Sequence, residues 1–137
     1  MKLKYVGESF GIDSLTNGKI YELEIEDYDY YRVFDDSDED YLYSRRNPRP
    51  MDGSSPGGKW VLVIDELKKR LSEVQSCFEF DYNGKHGGIN PIRADKIEVY
   101  YGGKSEYADS IDKAIDTPFV DGKKLEEIVN DLYVSNF

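Results

Sequence analysis

The sequence predicts an α+β fold: a small β barrel or meander, then a module in which helices pack on a small antiparallel sheet. Three observations carry that expectation. "IYELEIE" (20–26) alternates strictly between apolar and acidic residues, the period of a half-buried strand. In "IDELKKRLSEV" (64–74), Ile64, Leu67, Leu71 and Val74 recur at helical spacing. Between them, "SRRNPRPMDGSSPGGK" (44–59) gathers prolines, glycines and serines with scarcely an apolar residue, the composition of a linker or long loop. At 137 residues and 39% apolar content the chain can bury one modest core or two small ones.

The first module is expected over 1–44. "KLKYV", "IYELEIE", "YYRVF" and "DYLYS" are short, rich in β-branched and aromatic residues, and separated by turn chemistry such as "TNGK". In the second of these, Tyr21, Leu23 and Ile25 share one face and Glu22, Glu24 and Glu26 the other. "DDSDED" falls between "YYRVF" and "DYLYS", where a hairpin needs its turn. Asp and Ser suit that place because their side chains bond nearby backbone groups. Residues 45–59 are the expected linker, since a loop of that length inside one compact core is uncommon.

The second module is expected over 60–137. A short strand at 60–63 precedes the amphipathic helix. Phe78, Phe80 and Tyr82 then alternate against Cys77, Glu79 and Asp81 in a strand that ends in the turn-rich "NGKHGG". "DKIEVYYGG" is its expected hairpin partner, with Ile97, Val99 and Tyr101 on one face. "SEYADSIDKAI" offers Tyr107, Ile111, Ala114 and Ile115 as a helical stripe. Asp121 is the expected N-cap of a last helix whose Leu125, Ile128, Val129, Leu132 and Tyr133 recur at helical spacing.

Charge narrows the function classes. The formal net charge is −10, and between Glu22 and Asp40 ten acids face a single base, Arg32. Such a surface repels nucleic acid and anionic lipid and steers toward basic partners, so direct nucleic-acid binding and membrane association are not expected. The lone cysteine, Cys77, excludes an intramolecular disulfide framework, and no apolar run is long enough to cross a bilayer. "MKLKYVGESF" lacks the apolar core of a signal peptide, which makes the cytoplasm the expected compartment.

The candidate partner-binding set is Glu22, Glu24, Glu26, Asp29, Tyr30, Asp35, Asp36, Asp38, Glu39, Asp40 and Tyr41. Tyrosine beside carboxylates supplies rigid amphipathic contact area and suits an arginine-rich surface. The competing reading is plain: strand tyrosines that pack, and a solvated turn.

No cofactor, metal or catalytic residue is expected. A calcium loop starting at Asp36 fits at Asp38 and Asp40, but Tyr41 stands where it needs Gly and Asn47 where it needs Glu. "GESFG" (7–11) spells a nucleophile elbow around Ser9 in a chain too short for the sheet such an elbow requires. "GGKS" (102–105) has Glu98 where a phosphate loop needs its first glycine. Cys77 and His86 could pair as nucleophile and base, although each has a simpler structural reading.

"KYVGESFGIDSLTNGKIYELEIEDYDYYRVFDDSDEDYLYS" resembles a short SH3-like module of small Firmicutes and prophage proteins, in which "DDSGEDYLY" is the associated form; here Asp38 replaces the turn glycine. "FEFDYNGKHGGINPI" and "TPFVDGKKLEEI" resemble another small phage-associated domain. The resemblances imply a mobile-element accessory protein and bring no catalytic or binding residues. The reading that follows is a non-enzymatic phage- or prophage-type binding protein. It is similar in style to anti-CRISPR and other anti-defence inhibitors, and its acids occupy a basic nucleic-acid-binding groove of a defence enzyme. Two alternatives stand beside it: a host regulatory or protein-interaction module, and a small-molecule binder or weak hydrolase using the glycine-rich loop 83–91.

Overall fold

The computed structural model describes residues 1–74 and 76–137. It overturns the expected α+β class, an SH3-like barrel or meander ahead of helices on a small sheet. The chain is mostly β, with 44% strand and 14% helix, and its strands form two antiparallel five-stranded sheets. It divides into two compact units, 1–63 and 64–137. No helix among the described residues is long and apolar enough to cross a membrane.

In the first unit, strands β1 (Lys2–Gly7), β2 (Ile20–Ile25), β3 (Tyr30–Phe34), β4 (Asp40–Ser44) and β5 (Gly58–Leu62) lie in the order β4-β3-β2-β1-β5. Period-two alternation decides the inner face: Leu3, Tyr5, Tyr21, Leu23, Tyr31 and Val33 are buried. Trp60 sits among three of these rings, edge-on to Tyr5, Tyr21 and Tyr31 at 5.9, 6.2 and 6.1 Å. Its indole N–H donates to the Ser44 carbonyl at 3.1 Å, tying β5 to the end of β4.

Strand 60–63, expected to open the second module, thus completes the first sheet: Tyr5 pairs with Trp60 and Leu3 with Leu62. The stretch 45–59, expected as a linker, is part of the same unit. Arg45 is buried, donates to the Asp27 carbonyl at 2.8 Å and lies over the Tyr31 ring. Gly58 N–H bonds back to Pro48.

The second unit opens with helix α1 (Ile64–Glu73), as its periodicity predicts, burying Leu67 and Leu71. Strands β6 (Phe78–Tyr82), β7 (Lys85–Arg93), β8 (Lys96–Tyr101), β9 (Lys104–Ala108) and β10 (Tyr133–Asn136) lie in the order β10-β6-β7-β8-β9. Of the glycine-rich run expected as a loop, Asn83 and Gly84 make the β6–β7 turn, but the rest lies in β7, the central strand, so "DKIEVYYGG" pairs with β7 and not, as expected, with β6.

Two further expectations fail in this unit. "SEYADSIDKAI" is strand β9 followed by the short helix α2 (Ile111–Asp116), whose N-cap is Ser110, so Tyr107 belongs to no helical stripe. The expected last helix is a single 3-10 turn, Leu125–Glu127, and then β10, which supplies the ladder partner for β6. Asp121 stands at φ 51°, in a turn and not at a helix start. Leu125, Ile128 and Val134 are buried all the same.

Candidate functional site: the outer face and turn of the first sheet

The ten acids do not form one surface. Asp35 is 6% exposed, and its carboxylate closes the β3–β4 turn: Oδ1 accepts from the Ser37 backbone N–H at 2.9 Å and from the Ser37 hydroxyl, and Oδ2 from the Tyr43 hydroxyl at 2.6 Å. Asp36 holds the 8–19 loop instead. It accepts from the Lys19 ammonium and from the hydroxyls of Thr16 (2.7 Å) and Tyr21 (2.9 Å), while its own N–H donates to Ser14. Burial alone would raise the Asp36 pKa, but the bonds from Lys19, Thr16 and Tyr21 outweigh it and hold the group below its ordinary value. Both side chains are therefore occupied in building the unit.

The outward group lies on the opposite face of the same strands. Directly opposed residues share a face, so the pairs Glu24–Arg32 and Arg32–Leu42, with Phe34–Asp40, place Glu24, Arg32, Leu42, Phe34 and Asp40 together. Alternation adds Ile20, Glu22, Glu26 and Tyr30. Arg32 is the centre. Its Nε and Nη2 donate to the two oxygens of Glu26 at 3.0 and 3.2 Å, and Nη1 donates to Asp40 at 3.1 Å. The bond to Arg32 pulls the Glu26 pKa down, and the bonds to Glu26 and then Asp40 push that of Arg32 up. Glu22 accepts from the terminal ammonium of Met1 at 3.0 Å. Glu24 makes no ion pair among those found for the described residues. Lys2 and Lys4, on β1 opposite Glu22 and Ile20, border the face.

Of the other predicted residues, Asp29 and Asp38 are exposed acids at opposite ends of the β3–β4 hairpin. Asp38 adopts φ 62°, the left-handed region that glycine enters most readily. Glu39 accepts from the Tyr41 hydroxyl at 2.8 Å, and Tyr41 pairs with Val33, so it belongs to the core side and not to the face of Tyr30. The prediction missed the apolar part of the outer face: Ile20 (39% exposed), Phe34 (47%) and Leu42 (47%), beside Tyr30 (42%). The signal was present in the parity of "YYRVF" and "DYLYS", which sets these residues opposite the buried Tyr31 and Val33.

The motifs with catalytic spelling have structural roles. Ser9 Oγ accepts from the Asn17 N–H at 2.9 Å within the loop. "GGKS" is the β8–β9 turn, with Gly102 and Gly103 at positive φ. Cys77 and His86 share the outer face of the second sheet, but Tyr100 and Glu79 stand between them. Cys77 Sγ is 3.6 Å from the Tyr100 hydroxyl, which donates to Glu79 at 3.1 Å; His86 meets Glu79 at 3.5 Å and Asp81 at 2.9 Å. Burial pushes the Cys77 thiol up, so it stays protonated, and the bond to Asp81 raises His86 toward its imidazolium. An open depression of about 450 Å³ beside this row includes Glu79, Asn90, Glu98 and Tyr100 in its lining. Among the described residues no group of three or more His, Cys, Asp or Glu is placed to hold a metal ion.

No protein-family model matches the chain, and no curated protein or solved structure compared with it does so either.

Proposed function

We propose that the chain is a non-enzymatic binding protein of the anti-defence type, whose first unit occupies a basic, nucleic-acid-binding groove on another protein. The observation that carries this reading is the division of the acids. Asp35 and Asp36 are consumed in structure, while Glu24, Asp29, Asp38 and Glu39 are exposed and meet no cation among the ion pairs found for the described residues. Exposed carboxylates on a chain of net charge −10 raise the encounter rate with a basic surface and disfavour nucleic acid itself.

The test is capture of nucleic-acid-binding proteins by the wild type and by a variant carrying Glu24→Gln, Asp29→Asn, Asp38→Asn and Glu39→Gln. Capture that weakens with salt, is displaced by added duplex DNA and is lost in the variant supports the reading. Capture equal in both proteins and indifferent to salt contradicts it.

A further inference from the structure

Resting on that reading, we infer that the outer face of β2–β4 docks an arginine-bearing segment of the basic partner, and that Arg32 occupies in the free protein the carboxylates such an arginine would use. Two features of the face point this way.

The first is its shape for a guanidinium. Glu26 takes two N–H groups of one guanidinium in a fork, and Asp40 takes a third from the same group. Only a planar group with several fixed donors satisfies both acids at once; an ammonium offers a point charge without that fork. Glu24, directly across the ladder from Arg32, supplies a further carboxylate on the same row. The slot is thus built for arginine and is filled by the chain's own.

The second is the apolar surround. Phe34 and Leu42 sit on diagonal positions of the β3–β4 pair next to Asp40 and Arg32, each about half exposed, with Ile20 and Tyr30 on the same face. Packed apolar and aromatic groups beside a carboxylate accommodate the methylene stem and guanidinium plane of an incoming arginine. Charge complementarity selects a basic occupant: β2–β4 present Glu22, Glu24, Glu26 and Asp40 against the single cation Arg32. Lys2 and Lys4 border the Glu22 side, which directs the occupant toward the β3–β4 end. A second copy of the chain brings like net charge and is disfavoured there.

This arrangement makes an unusual demand. Removing a positive charge from Arg32 strengthens binding of a basic segment, because Glu26 and Asp40 become available to it.

The experiment is a backbone-amide NMR titration of the intact chain, at low salt, with a peptide alternating arginine and leucine and with its lysine counterpart. The expected result is saturable shifts on Glu24, Arg32, Phe34 and Leu42, tighter for the arginine peptide. Arg32→Gln should tighten binding roughly two- to fivefold, the range of one exposed ion pair. Phe34→Ala should weaken it while its own spectrum shows the fold intact. Saturable binding at the 35–39 turn, or an Arg32→Gln variant that binds no more tightly, overturns the inference and leaves the basic-partner reading standing, whereas saturable binding confined to the second unit contradicts both. Saturable binding of neither peptide contradicts both.

Discussion

The Tyr43 hydroxyl donates to Asp35 at 2.6 Å, and with the two bonds from Ser37 it converts the first acid of "DDSDED" from a surface charge into a structural part of the β3–β4 hairpin. The two groups reinforce each other. Burial, then the bond to Asp35, pushes the Tyr43 pKa up, so it remains a donor at every physiological pH. Asp35→Ala leaves the Tyr43 hydroxyl and the Ser37 N–H without their acceptor, and should destabilise the first unit by about 1–3 kcal/mol in urea unfolding. Tyr43→Phe should have the same sign and a smaller effect, because Ser37 still satisfies Asp35.

Asp38 gives the opposite sign. It stands at φ 62°, where a side chain is strained and glycine is not. Asp38→Gly should therefore stabilise by about 0.5–1 kcal/mol, and Asp38→Val, β-branched, should destabilise. Thermal midpoints of the two variants check this.

Gly88 is the place where the second sheet depends on a missing side chain. A Cβ there would stand 2.5 Å from the Tyr100 hydroxyl and 2.6 Å from the Phe78 carbonyl. Its absence lets the phenol cross β7 to reach Glu79. Gly88→Ala should destabilise by about 1–3 kcal/mol. Combining it with Tyr100→Ala should recover only part of the loss, because the backbone contact persists.

His86 sets an alkaline limb of the stability curve. The bond to Asp81, with help from Glu79, raises its folded pKa above the ordinary value of 6.5. A group raised on folding contributes stability that is fully present below its unfolded pKa and is lost as pH rises through the folded one. Stability of the second unit should decline between about 6.5 and that higher value, and His86→Gln should flatten the decline. Asp36 does the reverse: its folded pKa is lowered, so its contribution is present above 3.8 and is lost as pH falls through the folded value.

The strands of the first unit were legible because alternation and hairpin spacing are local properties; "YYRVF" and "DYLYS" coincide with β3 and β4. Much of the second unit was not. β7 carries Gly87 and Gly88 where a strand pattern would show side chains, and those glycines are required because Tyr100 and Tyr101 lie against the strand from its two faces. β10 follows a run with helical spacing, and the free edge of β6, a partner distant in sequence, decides its state. In the candidate site, the density of acids was legible but their partners were not. Tyr43, Thr16 and Lys19 reach Asp35 and Asp36 only after the chain has folded.

The most direct measurement compares two variants, side by side, in thermal unfolding and in binding to the same arginine-bearing peptide. One carries Asp35→Asn and Asp36→Asn; the other carries Glu24→Gln, Asp29→Asn, Asp38→Asn and Glu39→Gln. The division of the acids predicts that the first variant unfolds at lower temperature while still binding below its midpoint. It predicts that the second keeps its thermal midpoint and binds the peptide more weakly and with less salt dependence, since Glu24 and the surrounding acidic field are gone while Glu26 and Asp40 remain. Equal binding by the second variant and the wild type would contradict the account.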